Sequence, residues 1–137
     1  MNIAIRYYSK SKKGNTLKLA TRAGNYLNIE VKTIDEPLNE KVDILFLFNA
    51  MYAFDIDKEI KHFLKDNKDN ISLLVNINSA ASGASTYKSV KKVCDKYNIN
   101  LSEKEYHCIG SWLKLNPDRP NENDMLKLEE FLKEFVE

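Results

Sequence analysis

The chain has 137 residues, 43% of them hydrophobic and 30% charged, and a formal net charge of +1. That length suits a single domain, 1–137, with a real core, and the balance excludes a disordered chain and a strongly basic nucleic-acid binder. No apolar run approaches the roughly 18 residues of a membrane span, and Met1-Asn2-Ile3-Ala4 lacks the regions of a signal peptide, so a cytoplasmic protein without membrane insertion is expected.

Ile3–Tyr8, rich in branched and aromatic residues, reads as a first strand. Asn15–Leu27 follows as a helix, with Ala20, Ala23 and Leu27 at helical spacing. Ile29–Ile34 alternates apolar and polar residues, as an edge strand with one wetter face does. The loop Asp35–Glu40 contains Pro37, and the gap before the next strand is too short for an ordinary crossover helix, so an irregular connection is expected. Val42–Phe48 is close to a continuous apolar run, the pattern of a parallel strand covered on both faces.

After a loop at Asn49–Ile56, Asp57 is placed to cap a helix whose apolar positions are Ile60, Phe63 and Leu64. Ile71–Ile77 is another buried strand, and Asn78–Ser85 is a loop of small residues around Gly83. Val90, Val93, Cys94 and Tyr97 then match the helical template. Glu105–Gly110 reads as a last strand at an edge. Asn121, with Asp124 three residues on, caps a final helix that turns Met125, Leu128, Leu132 and Phe135 to the core. Alternating strands and helices predict an α/β domain with a parallel sheet. Cys94 and Cys108 lie too far apart for a paired metal or redox motif and are expected in the core. Trp112, in the loop after the last strand, can cap the core or border the site, with the core favoured, and His107 is expected to be solvated.

In such a sheet, ligands sit beyond the carboxyl ends of the strands, where three loops converge: Ser9–Thr16, Asn49–Asp55 and Asn78–Ser85. The first is a strand-to-helix turn, Ser9-Lys10-Ser11-Lys12-Lys13-Gly14-Asn15-Thr16. Free backbone N–H groups and the positive end of a helix together make an anion site, with phosphate the usual guest. Ser9, Ser11, Asn15 and Thr16 add uncharged donors, and Gly14 lets the backbone approach. The second loop offers Tyr52, whose amphipathic ring can stack on an aromatic ligand, and Phe54 as a weaker candidate. The third has side chains small enough for its backbone to reach the edge of a planar ligand. These demands describe a mononucleotide with a large ring, and flavin mononucleotide (FMN) meets all of them. A Walker-type loop is excluded because Gly14 precedes Asn15, a dinucleotide fingerprint because the loop holds one glycine, and a phospho-receiver because Asn49 stands where it wants an Asp.

Tyr8 to Thr16, followed by Leu17-Lys18-Leu19-Ala20, resembles the phosphate loop and first helix of the flavodoxin family, roughly hydroxyl, any, hydroxyl, Gly, any, Thr. The resemblance continues through Leu47–Tyr52, Tyr106–Gly110 and Arg119-Pro120-Asn121-Glu122, and so covers nearly the whole chain. It implies a flavodoxin-like three-layer αβα sandwich with a five-stranded parallel sheet in the order 2-1-3-4-5, and FMN at the switch between the first and third strands. Contacts to that cofactor are implied for Ser9, Lys10, Ser11, Lys13, Gly14, Asn15 and Thr16, for Asn49, Tyr52 and Phe54, and for Ser79, Ala80, Ala81 and Gly83. The implied function is electron transfer between a reductase and an acceptor, by a monomer or weak dimer with no catalytic acid, base or nucleophile. Two alternatives stay open: an FMN-dependent oxidoreductase that passes electrons from NAD(P)H to a quinone or other small acceptor, and a flavodoxin-like scaffold without flavin. Lys13 stands where the family usually has a hydroxyl, and the family's carriers are acidic whereas this chain is nearly neutral.

Overall fold

A computed structural model describes residues 1–10, 14–52 and 55–136. Along them run β1 (Ile3–Tyr7), α1 (Asn15–Leu27), β2 (Val31–Thr33), β3 (Ile44–Ala50), α2 (Lys58–Asn67), β4 (Leu74–Ala80), α3 (Tyr87–Tyr97), β5 (Tyr106–Ile109) and α4 (Glu122–Val136), with a 3-10 turn, Lys68–Asn70, after α2. The strands form one parallel sheet in the order β2-β1-β3-β4-β5, with Ile5 opposite both Val31 and Phe46, and Phe46 opposite Val75.

The near-continuous apolar runs are explained by two cores, one on each face. Leu45 and Leu47 of β3 pack with Ile60 and Leu64 of α2 and Val90 and Cys94 of α3. Ile44, Phe46 and Phe48 of the same strand pack with Leu19 and Ala23 of α1 and Leu128 and Leu132 of α4. The sheet is thus the middle layer of three, as expected. Both cysteines are buried, and burial pushes the Cys94 thiol up to about 12 and the Cys108 thiol up to about 11, so neither is a thiolate at neutral pH.

β3 and β4 each continue past the apolar residues that announce them, to Ala50 and Ala80 rather than Phe48 and Ile77. The added residues include Asn49 and Asn78, which read as loop formers in sequence. They stay in the sheet because their side chains are satisfied inside it. Asn49 Nδ2 donates to Asn76 Oδ1 at 2.7 Å, Thr86 Oγ1 donates to Asn49 Oδ1 at 2.6 Å, and the Thr86 N–H donates to Asn78 Oδ1 at 3.1 Å.

The connection from β2 to β3 has to recross β1 on the face opposite α1, and it does so without a helix. Ile34, Leu38 and Val42 cover that face. With no helix to pair its backbone groups, this segment finds other donors for its half-buried carbonyls. Arg6 of β1 supplies them: Nε donates to Glu36 O at 2.8 Å and Nη2 to Pro37 O at 3.1 Å, while Nη1 donates to Ile5 O at 3.1 Å. Asn67 Oδ1 accepts from the Leu38 N–H at 2.9 Å, and Asn70 Nδ2 donates to Leu38 O at 2.9 Å.

The helix ends follow their sequence signals. Asp57 Oδ1 accepts from the Glu59 N–H at 2.9 Å. At α4, Asn121 and Asp124 form a reciprocal box: the Asp124 N–H donates to Asn121 Oδ1 at 3.0 Å and the Asn121 N–H to Asp124 Oδ2 at 2.8 Å. Asp124 is 4% exposed and also accepts from Arg119 Nη2 at 2.7 Å and Nε at 2.6 Å. Arg22 of α1 reaches Glu122 at 2.8 Å and Glu129, which clips the two helices together. A Cβ on Gly24 would stand 2.4 Å from Val31 Cγ2 and 2.8 Å from Ile29 O, so only glycine lets α1 approach β2 this closely.

Arg6→Met should therefore lower stability by about 1–3 kcal/mol, because it strips donors from half-buried carbonyls while keeping the apolar stem; urea denaturation measures it. The Arg119 hydrogen bond, aided by the Asn121 N–H, holds the Asp124 carboxyl below the usual carboxylate range. Its contribution is present at neutral pH and is lost as pH falls from about 4 through the lowered value. Asp124→Asn should cost about 1–3 kcal/mol at pH 7 and show a shallower loss of stability on acidification than the wild type. Denaturation midpoints at pH 7 and pH 3 compare the two.

Candidate functional site

The turns that leave β1, β3, β4 and β5 enclose a cavity of about 460 Å³ at the carboxyl edge of the sheet. It spans β1 and β3, the pair from which the chain sets out in opposite directions across the sheet. The volume falls within the range of small-molecule sites, about 300–1,000 Å³.

One end is built from Ser9, Gly14, Asn15, Thr16 and Lys18. Gly14 is the N-cap of α1, in an extended conformation, and as a glycine it brings no side chain to cap the first N–H groups of the helix. The first turn of α1 has no acidic residue, and Lys18 is the only charged side chain among the described residues that line the cavity. This end is chemically suited to an anion. Asn15 takes part differently from expectation. Its Nδ2 donates to Ser111 O at 2.8 Å and its Oδ1 accepts from Ser111 Oγ at 3.2 Å, so its side chain ties α1 to the turn after β5. Lys18 was not singled out from sequence; its place four residues after Gly14, one turn along the same helix face, is the signal that could have found it.

At the other end, Tyr52 lines the cavity with Ala50 and Met51. Lys10 fixes the ring: its backbone N–H donates to the Tyr52 hydroxyl at 3.1 Å, and its Nζ lies 4.5 Å from the ring centroid. The same Nζ is 3.4 Å from Asp57 Oδ2, at the cap of α2. Lys10 thus acts as a brace for Tyr52 and is not among the lining residues. Ser11, Lys13 and Phe54 lie outside the described residues.

Ser79, Ala80 and Ala81 form the third wall. Two expected contacts lie elsewhere. Asn49 is fully buried, and its amide is consumed by Asn76, Thr86 and the carbonyls of Leu47 and Ile77, so it underlies the site without reaching the cavity. Gly83 closes a turn with φ of 79°, its N–H donating to Ala80 O at 2.9 Å, and it shapes the loop without lining the cavity. The Asn78 amide holds the same loop through Ala84 O at 3.0 Å.

Gly110 to Leu113 form a fourth wall, of which sequence reasoning raises only Trp112, as the less favoured of its two places. Trp112 is 60% exposed and borders the cavity, which corrects its expected place in the core. It sits in a tight turn whose Trp112 N–H donates to Leu115 O at 3.0 Å and whose Leu115 N–H donates back at 2.8 Å. Asn116 Nδ2 anchors this turn to Ala81 O at 2.9 Å. A Cβ on Gly110 would meet Asn15 Nδ2 at 2.8 Å, so glycine there allows the walls to close on one another. His107, exposed as expected, places Nδ1 2.9 Å from Gly83 O.

No protein-family model matches the chain, and no curated protein matches it in sequence. Solved structures do match it in shape. A flavodoxin from the domain Archaea superposes with a TM-score of 0.74 at 10% identity, covering 96% of this chain and 93% of the other. Oxidised flavodoxin 2 from Bacillus cereus gives 0.66 at 16% identity, with 98% and 100% covered. A flavodoxin from Streptococcus pneumoniae TIGR4 gives 0.62 at 16% identity, with 96% of each chain covered. With the strand order and the two helical layers, these full-length superpositions establish that the chain has the flavodoxin-like fold.

Proposed function

We propose that this chain binds FMN in the cavity at the carboxyl edge of the sheet and serves as an electron-transfer protein. The observation that carries the reading is the polarity of that cavity: an acid-free helix start with glycine at its N-cap at one end, and Tyr52 and Trp112 on its other walls. In this reading the phosphate is held by the α1 backbone at Gly14, Asn15 and Thr16, with Ser9 and Lys18 beside it and Ser11 and Lys13 contributed by the same loop. The ring lies against Tyr52 and Trp112, with Phe54 in the same loop as Tyr52, and its polar edge meets the backbone of Ser79, Ala80 and Ala81. The flavin supplies the electron chemistry, and the chain supplies binding, orientation and electrostatics. The absence of a carboxylate from the described lining suits an anionic cofactor. The flavodoxins matched in shape support the same reading through their common fold.

Trp112 is the only tryptophan of the chain and borders the cavity, so its emission reports directly on what enters. Titration of flavin-stripped protein with FMN should quench that emission, and riboflavin should bind at least about tenfold more weakly, since one charge-assisted phosphate interaction is worth about 1.5 kcal/mol or more. Equal affinity for the two would sink the phosphate site, and no quenching by either would favour the scaffold without flavin. Gly14→Val, which sets a branched side chain at the backbone approach, should weaken FMN binding about tenfold or more with little effect on riboflavin. Parallel titrations of the variant decide it.

A further inference from the structure

A second cavity, about 560 Å³, opens between α2, α3 and the Asp55 end of the second loop. Its walls are cationic. Lys61 comes from α2 and Lys88, Lys92 and Lys96 from α3, against one carboxylate, Asp55. That carboxylate is already committed: it accepts from Lys61 Nζ at 2.8 Å and from the Ile56 N–H at 2.7 Å. Among the described residues, Lys88 and Lys92 have no carboxylate within ion-pair distance, and Lys96 lies over the Tyr97 ring at 5.4 Å. The surplus is a property of the whole face, since segments 58–70 and 87–97 carry eight lysines and four carboxylates. α4, on the opposite face, carries five carboxylates and two lysines. A net charge of +1 therefore hides a polarised molecule.

This groove is joined to the cavity proposed for the cofactor. Tyr52 lines that cavity and Asp55 lines the groove, and the two are paired by backbone bonds, Tyr52 N–H to Asp55 O at 2.7 Å and Asp55 N–H to Tyr52 O at 3.0 Å. This pair thus links the two walls. The groove's described lining holds no aromatic side chain on which a base could stack and no arginine to grip a phosphate in two-pronged fashion. Its ammonium groups suit the carboxylates of a protein better than a nucleic acid.

We propose that the α2–α3 groove is the docking surface of an acidic protein partner, whose Asp or Glu side chains engage Lys88, Lys92 and Lys96 and set the partner beside the Tyr52 wall. That the partner exchanges electrons rests on the function proposed above; the groove's affinity for carboxylates does not require flavin. Docking of this kind is steered by charge and weakened by salt.

The test titrates the ¹⁵N-labelled full-length chain with a deca-glutamate peptide at low and high salt. Amide shifts should concentrate in 58–65 and 87–97, and affinity should fall about tenfold between about 20 and 200 mM salt. The double variant Lys88→Glu/Lys92→Glu should lose at least about tenfold, while Lys127→Glu/Lys133→Glu on α4 should bind as the wild type does. FMN quenching of Trp112 should be unchanged in both, which separates the groove from the cofactor site. Shifts centred elsewhere, undiminished binding by the Lys88/Lys92 variant, or tighter binding of deca-uridylate RNA in the same groove would each overturn the proposal.

Discussion

Parallel pairing is the constraint from which the rest of this molecule follows. All five strands point the same way, so every outgoing turn emerges at one edge of the sheet and every return must cross a face. Turns far apart in sequence are thereby forced together; the side chain of Asn15 meets Ser111, 96 residues away. Because β1 is followed by a step to one side and β3 lies on the other, the turns after these strands diverge and leave room between them. The cavity is a product of strand order before it is a product of any side chain. The same order obliges the chain to recross β1 in the short stretch after β2, and Arg6 meets the backbone demand that the missing helix leaves.

Beneath the cavity lies a closed polar cluster. Asn49, Asn76, Asn78 and Thr86 bond to one another and to nearby backbone, and no buried side-chain polar atom among the described residues lacks a partner. In a low-dielectric interior such a saturated cluster is directional where an apolar core is not. It locks the start of α3 to the ends of β3 and β4 and so fixes the loop between Ala80 and Thr86 from below. Lys10 does the corresponding work on Tyr52 from outside, linking it to the cap of α2.

Much of this was legible in the sequence because it is local. Helix periodicity gave α1 its observed limits, Asn15–Leu27, and Asp57 and Asn121 cap as their positions suggest. The lack of a helix before β3 was visible as a gap too short to hold one. What was hidden depends on partners remote in sequence. Asn49 and Asn78 read as loop residues until their neighbours across the sheet are known. Nothing near Arg6 in sequence marks it out, yet it is 7% exposed and braces a connection thirty residues away. Trp112 reads as core because large aromatics usually are, whereas the turn from Trp112 to Leu115 holds it at the cavity wall. The net charge likewise averages away the contrast between the α2–α3 face and α4, although the acidic run after Pro120 is plain in the sequence.

The sheet also tapers. Of its three inner strands β3 and β4 have seven residues each and β1 five, whereas the outer ones, Val31–Thr33 and Tyr106–Ile109, have three and four. A sheet edge is a row of unpaired backbone donors and acceptors on which the strand of another molecule can add. Short margins leave little of that template, and the aggregation-prone sequences, the apolar runs of β3 and β4, are shielded on both sides by neighbours. Colloidal safety in a concentrated solution is therefore supplied by strand length, leaving the surface free to carry an uneven pattern of charge.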